Sequence, residues 1–145
     1  MLERVCQRFE PQFREKGVSL DLSLLETDLA LFADEDKLDQ VLTNLLDNSL
    51  RHSDPGGAVV LSAERRDGFV AMVLADNGAG ISDIDLPHIF ERFYTADKSR
   101  SRERGGTGIG LTIAKSYVTA LGGTIYAESG PGAGTTMTVL IPSAT

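Results

Sequence analysis

Residues 39–53 read DQVLTNLLDNSLRHS, and the run asks for a helix. Leu38, Val41, Leu42, Leu45 and Leu46 recur at the spacing of one helix face. Asp34 stands where an N-cap belongs, and Asp54-Pro55-Gly56-Gly57 is a stop, so the helix should end near Arg51. Two asparagines, Asn44 and Asn48, interrupt the leucines one turn apart. Asparagine is a mediocre helix former because its side chain competes for backbone hydrogen bonds. Residues four apart lie on one face, about 6 Å along the axis. Asn44 and Asn48 therefore point to one place, and Arg51 and His52 extend that face. The set offers neutral oxygens, a cation and an imidazole. Amide oxygens suit a hard cation such as Mg²⁺ that keeps water and phosphate ligands, and arginine suits phosphate. The same amides could equally cap neighbouring backbone or face solvent opposite the leucines.

Outward from this helix the pattern changes period. Residues 58–66 (AVVLSAERR) and 69–76 (FVAMVLAD) read as strands joined by the hairpin turn Asp67-Gly68. Residues 124–129 (TIYAES) and 135–142 (TTMTVLIP) read as two more strands, flanking a GPGAG turn. Before the helix, VSLDLSL at 18–24 alternates strictly and predicts a strand, and LALF at 29–32 is a further candidate. Residues 2–16 carry Leu2, Val5, Cys6, Phe9 and Phe13 at helical spacing, with Pro11 expected to kink or split that helix. DLPHIFERF at 85–93 predicts a short helix, and 108–123 (GIGLTIAKSYVTALGG) a helix that opens and closes on glycine. The sum is one α+β domain: two or three helices and a mixed, largely antiparallel sheet. There is no internal repeat and no linker to a second domain.

Bulk properties bound the function. A chain of 145 residues with 41% hydrophobic content can bury one core, largely aliphatic since only 6% is aromatic. No apolar run reaches membrane-spanning length, and the N-terminus lacks the apolar stretch of a signal peptide. The single cysteine, Cys6, excludes an internal disulfide and a cysteine zinc cluster, which suits a reducing, cytosolic setting. A net charge of −7 argues against general nucleic-acid binding. Residues 92–104 run against that trend: Arg92, Lys98, Arg100, Arg102 and Arg104 face only Asp97 and Glu103, net +3. Such a loop is either a local anion site or a solvated segment.

Three glycine-rich stretches follow strands or precede a helix. Asp76-Asn77-Gly78-Ala79-Gly80-Ile81 follows a strand directly. Its glycines permit close backbone approach to a ligand, and its carboxylate can accept from an exocyclic amine. An ordinary Asn-Gly turn is the plainer alternative. Gly105 to Leu111 (GGTGIGL) leads into a helix, whose free N–H groups and dipole favour phosphate. It is no dinucleotide fingerprint, because it follows a polar loop rather than a strand, and it lacks the lysine of a P-loop. Gly130 to Thr135 is, alone, a turn.

Each signal is modest singly, but their order is specific. NLLDNSLRHS, DNGAGI, IFERFY, GGTGIGL and GAGT closely resemble the N, G1, F, G2 and G3 boxes of the catalytic and ATP-binding domain of bacterial sensor histidine kinases, within the GHKL ATPase superfamily. The resemblance covers essentially the whole chain. It implies a two-layer α/β sandwich: three main helices on a mixed, mostly antiparallel sheet of about five strands, with ATP beneath a mobile lid near Thr95–Thr107. It implies that Asn48 coordinates Mg²⁺ on the ATP phosphates with Asn44 beside it, that Arg51 meets phosphate and that His52 flanks adenine. Asp76 would accept from the adenine amine, with Gly78, Gly80, Ile81 and Thr135 shaping that pocket. Gly106, Thr107, Gly108, Ile109, Gly110 and Leu111 would hold the phosphates. Phe90, Phe93 and Tyr94 would couple lid order to nucleotide, and Lys98 or a lid arginine would approach the γ-phosphate. Thr95 departs from the family, which commonly has arginine there, so a contact made by that arginine is in doubt.

The resemblance further implies transfer of the γ-phosphate to a histidine on a separate dimerisation and phosphoacceptor domain, with a response regulator downstream. The two histidines here, His52 and His88, fit no acceptor motif, so the chain reads as the catalytic domain without its acceptor. The isolated domain is expected to be monomeric and cytoplasmic, and the resemblance is compatible with a whole kinase anchored in the inner membrane. Two other readings stand beside this one: an anti-sigma-factor-type serine kinase, and a nucleotide-gated interaction module without phosphotransfer. A water-splitting ATPase fits less well. In hydrolytic relatives the place of Asn44 is typically a glutamate, and an amide is no general base near neutral pH.

Overall fold

The computed structural model describes residues 2–23, 25, 34–78, 80–91, 110–129 and 133–143. Helix α1 is Leu2–Lys16, strand β1 Ser19–Asp21 and helix α2 Glu35–His52. Strands β2 (Ala58–Arg66) and β3 (Phe69–Asp76) follow, then a short 3-10 turn at Leu86–His88. Helix α3 (Gly110–Ala120) and strands β4 (Thr124–Ser129) and β5 (Thr135–Pro142) complete the order.

The sheet has five strands in the order β1-β2-β3-β5-β4. Only β1 pairs in parallel, with β2; every other pairing is antiparallel. Alternation decides which face is buried. Val59, Leu61 and Ala63 of β2, Val70, Met72 and Leu74 of β3, and Met137, Val139 and Ile141 of β5 form the inner face. They pack against Leu38, Val41, Leu42, Leu45 and Leu46 of α2 and Ala114 and Val118 of α3. Phe69 and Tyr126 stand exposed on the outer face. The result is the two-layer α+β sandwich that the resemblance implied, with three helices over a mixed sheet.

The predicted limits of β2, β3, β4 and β5 are those observed. The β2–β3 turn has positive φ at both Asp67 (48°) and Gly68 (82°), the twist a two-residue hairpin requires. Asp34 caps α2 as expected, its Oδ1 accepting from Asp36 N at 2.8 Å and Lys37 N at 3.3 Å. Helix α3 closes on glycine: Gly122 N donates to Thr119 O and Gly123 N to Val118 O, the paired bonds of a Schellman end.

Three expectations change. The strand predicted over 18–24 is only Ser19–Asp21, because the Asp21 carboxylate takes the Ser23 N–H at 2.9 Å and turns the chain out of the sheet. Pairing resumes at a single bridge, Leu25 to Ala63. Pro11 does not split α1, which runs unbroken from Leu2 to Lys16. Pro11 lies on the exposed face, where the carbonyl it leaves unpaired can reach water, while Phe9 and Phe13 anchor the helix on either side. The helix predicted over 85–93 is, where described, a 3-10 turn at Leu86–His88. Asp85 stands at its N-cap position, and the chain before it turns on Ser82, whose O accepts from Leu86 N at 2.9 Å and whose Oγ donates to Asp85 Oδ2 at 2.8 Å. The predicted 29–32 segment lies outside the described residues.

Candidate functional site

Helix α2 carries the first wall. Asn44 and Asn48 are both half-buried. Asn44 Nδ2 is buried without a hydrogen-bond partner, the one such side-chain atom among the described residues. This amide nitrogen therefore neither caps backbone nor faces water. A buried unpaired donor costs about 1–3 kcal/mol, so the position asks for an acceptor from outside the chain. Arg51, assigned to phosphate, pairs with Asp47 at 3.1 Å across one helical turn. Both groups are partly exposed, and such a pair contributes about 0–1 kcal/mol, little enough for an incoming anion to displace.

The second wall is the loop after β3. Asp76 ends that strand and turns its carboxylate back on the loop. Oδ1 accepts from Gly78 N at 2.9 Å, and the backbone N–H of Thr135 donates to the same carboxylate. Burial pushes the Asp76 pKa up, against those two hydrogen bonds. Gly78 crosses the end of α2 so closely that a Cβ would sit 2.6 Å from His52 O. Only glycine lets the Asp76 loop and the His52 end of α2 meet there. Asn77 fixes the base of the loop, its Oδ1 accepting from Ala58 N at 2.9 Å. The chain thus bends at Gly78 on the Asp76 side chain and is held on its other side by Asn77.

The third wall is the end of the β4–β5 hairpin. Asp76, Thr135 and Ser129 are paired across β3, β5 and β4, forming one polar row at the end of an otherwise aliphatic face. Ser129 Oγ accepts from Ile81 N at 2.7 Å and donates to Gly134 O at 2.8 Å. Gly134 has φ +76°, and a Cβ there would collide with the Asp76 carbonyl oxygen. The Asp76 loop and the Gly134 turn are thus packed backbone on backbone.

Helix α3 supplies the last part. Gly110 opens it with nothing within 4 Å of where a Cβ would lie, and Leu111 packs against the core. Thr112 Oγ1 donates to Phe90 O at 2.9 Å, and Lys115 Nζ lies 5.6 Å from the Phe90 ring centre. These contacts tie the aromatic segment to the start of α3. Phe93, Tyr94, Thr95, Lys98, Gly106, Thr107, Gly108 and Ile109 lie outside the described residues.

The structure thus brings His52, Asp76, Gly78, Ile81 and Thr135 into one connected unit at the end of α2, with Asn44 and Asn48 further along that helix. Sequence reading missed two residues that hold the unit together. Ser129 was detectable as the lone polar residue at the inward parity of TIYAES. Lys16 gave no sign. Its Nζ donates to Leu50 O at 2.6 Å and Arg51 O at 3.3 Å, capping the very turn of α2 that carries Arg51 and His52. No cluster of three or more His, Cys, Asp or Glu side chains suited to a metal occurs among the described residues. The amide oxygens of Asn44 and Asn48 are donors of the kind a hard cation such as Mg²⁺ takes beside phosphate and water ligands.

This sandwich, with its helix amides and loop carboxylate, has the fold of histidine kinase catalytic domains. The mycobacterial sensor histidine kinase MprB superposes over 98% of this chain and 91% of its own, with TM-score 0.82 and 26% identity. Full-length ShkA, solved in complex with AMPPNP, matches over 99% of this chain and 29% of its own, with TM-score 0.84 and 29% identity. Residues 33–145 match the family described as histidine kinase-, DNA gyrase B- and HSP90-like ATPases, and the chain belongs to that family. The signal transduction histidine-protein kinase BaeS of Escherichia coli (strain K12) is 41% identical over 142 residues, 98% of this chain. The chain spans 30% of the length of BaeS.

Proposed function

We propose that this chain is, as a single domain, the catalytic and ATP-binding part of a sensor histidine kinase. It binds Mg·ATP against α2, the Asp76 loop and the start of α3, and passes the γ-phosphate to a histidine on a separate two-helix acceptor domain. A response regulator then draws the phosphate onward. The observation that carries this reading is the buried, unpartnered Asn44 amide one turn before Asn48. A donor held dry and unpaired fits a phosphate oxygen or its bound water, and an amide cannot activate water for hydrolysis. BaeS is named a histidine-protein kinase, and ShkA was solved with an adenine nucleotide, which supports the same reading.

In this reading Asn48 would hold Mg²⁺, whose charge would offset that of the phosphates. Asn44 donates to a phosphate oxygen or its water, and Arg51 exchanges Asp47 for phosphate. Asp76 takes the adenine amine, Thr135 and Ile81 line the base, and His52 flanks it. Gly106 to Leu111 cradle the phosphates at the α3 terminus, with Lys98 or a lid arginine at the γ-phosphate. An acceptor imidazole nitrogen then bonds to the γ-phosphorus as the bond to the β–γ bridging oxygen breaks and ADP leaves. The imidazole proton passes to a base on the acceptor domain. Protein-assisted phosphoryl transfer is mostly positioning and charge neutralisation, which this set supplies. We place the domain on the cytoplasmic side, where ATP is supplied; among the described residues no helix is long and apolar enough to cross a membrane.

Calorimetric titration with ATP, with and without Mg²⁺, tests the site. Asn48→Ala should weaken the magnesium-dependent binding by about tenfold or more, the worth of a lost ligand plus its ordered partners. Unchanged affinity would remove Asn48 from the metal.

A further inference from the structure

Ser129 stands at the junction of the Asp76 loop and the Gly134 turn, and the protons at that junction can be counted. A serine hydroxyl has one proton to give and two lone pairs. Gly134 O can only accept, so the Ser129 proton goes there, at 2.8 Å. Ile81 N–H can only donate, so it takes one lone pair, at 2.7 Å. Thr135 Oγ1 lies 3.0 Å from Ser129 Oγ, a contact that by distance alone allows either hydroxyl to donate. With the Ser129 proton already committed, Thr135 must be the donor. Its own proton is then spent on Ser129, and Thr135 Oγ1 has only lone pairs left. Thr135 is the direct cross-strand partner of Asp76, on the same inner face.

We propose that Ser129 is a specificity-determining residue of the nucleotide site, which acts through Thr135 and Ile81 rather than by touching the nucleotide. By fixing the direction of the Thr135 hydroxyl it makes the Asp76–Thr135 wall a row of acceptors alone. Such a wall takes a purine that presents an amine at its six position. It repels one that presents a carbonyl there, because two acceptors then meet without a proton between them. Sites built to pair a substrate N–H reject the analogue lacking it far more strongly than apolar pockets reject a change of size. The same hydroxyl ties the Asp76 loop to the Gly134 turn, so the two sides of the base pocket move as one. This inference rests on the nucleotide reading given above.

The test compares ATP with ITP on the wild-type chain, Ser129→Ala and Ser129→Thr. The two nucleotides differ at the six position, amine against carbonyl, and at the adjoining N1, a lone pair in ATP and an N–H in ITP. Purine riboside triphosphate, which has the N1 lone pair but no six-position group, separates the two differences. Without Ser129 the Thr135 hydroxyl is free to turn and donate to the ITP carbonyl. Ser129→Ala should therefore shrink the preference for ATP over ITP by about tenfold, the size of one good hydrogen bond. Ser129→Thr, which keeps the hydroxyl, should retain the preference. In the nucleotide-free chain, the Ile81 amide should exchange about tenfold faster in Ser129→Ala. If alanine prevents folding, Ser129→Cys reads the same ratio, and its weak S–H donor should give an intermediate preference. An unchanged ratio in the folded variants, with ATP and ITP weakened alike, would overturn the proposal and leave Ser129 a structural residue. Wild-type chain that binds neither nucleotide would instead overturn the nucleotide reading itself.

Discussion

Replacing Asn44 with leucine should separate folding from function. The Asn44 Nδ2 atom is buried and unpaired, so an apolar side chain of similar size removes a desolvation penalty. The nucleotide-free domain should gain about 1 kcal/mol in denaturant unfolding, while ATP binding weakens. A loss of stability would mean that the amide has a partner in solution. Asp76 gives a matching prediction in pH. Burial raises its pKa in the folded state, so the ionised carboxylate costs stability at neutral pH and the cost is relieved on acidification. Asp76→Asn should therefore melt above the wild type at neutral pH, and the gap should close as pH falls through the raised pKa. The carboxylates with lowered pKa, Asp21 bonded to Ser23 N, the α2 cap Asp34, and Asp39 beside Arg8, lose stabilisation in acid in both proteins, so the difference isolates Asp76. A gap independent of pH would contradict the buried charge. At this scale residue type and spacing were enough to single out Asn44, Asn48, Asp76 and Gly78 as candidates. Ser129 stands out only as the lone inward polar residue of TIYAES; its bonds to Ile81 and Gly134 could not be read, because they exist only where three segments meet.

Elements were legible where their signals are local. Strands β2 to β5 are β-branched or apolar runs bounded by glycine, proline or aspartate turns, so their ends could be read directly. Strand β1 could not, because the Asp21 side chain competes with the ladder for the backbone and wins. The contact between α1 and the end of α2 was likewise invisible, since Lys16 and Leu50 are far apart in the chain. Lys16→Met should remove two charge-assisted bonds to the last carbonyls of α2 and lower the melting temperature by about 3 °C. Because that turn carries Arg51 and His52, ATP affinity should fall as well, although Lys16 is not in the site. A drop in melting temperature without any change in affinity would confine Lys16 to the fold. Gly134→Ala should be far worse, costing about 3 kcal/mol or more, because its positive φ and the Asp76 carbonyl both exclude a Cβ. Equilibrium unfolding in urea measures it directly, and a loss under about 1 kcal/mol would mean that the turn can shift.

At the scale of the molecule, the sheet presents its strand-end row of Asp76, Thr135 and Ser129 to the same end at which α2 ends and the Asp76 loop crosses it. The aliphatic layer between helices and sheet fixes that convergence, and the box order along the chain foretold it. What lay beyond sequence reading was how the walls are joined: through Gly78 on His52, Gly134 on Asp76, and Ser129 between loop and turn. The central claim is that these walls hold ATP for delivery to a histidine and not to water. Its most direct measurement is a single-turnover assay with γ-labelled ATP, Mg²⁺ and the cognate two-helix acceptor domain, an intact sensor kinase serving as control. The account predicts that label moves to the acceptor as acid-labile, alkali-stable phosphohistidine, faster than it appears as free phosphate. Label on serine, or free phosphate with an unlabelled acceptor while the control is labelled, would contradict it.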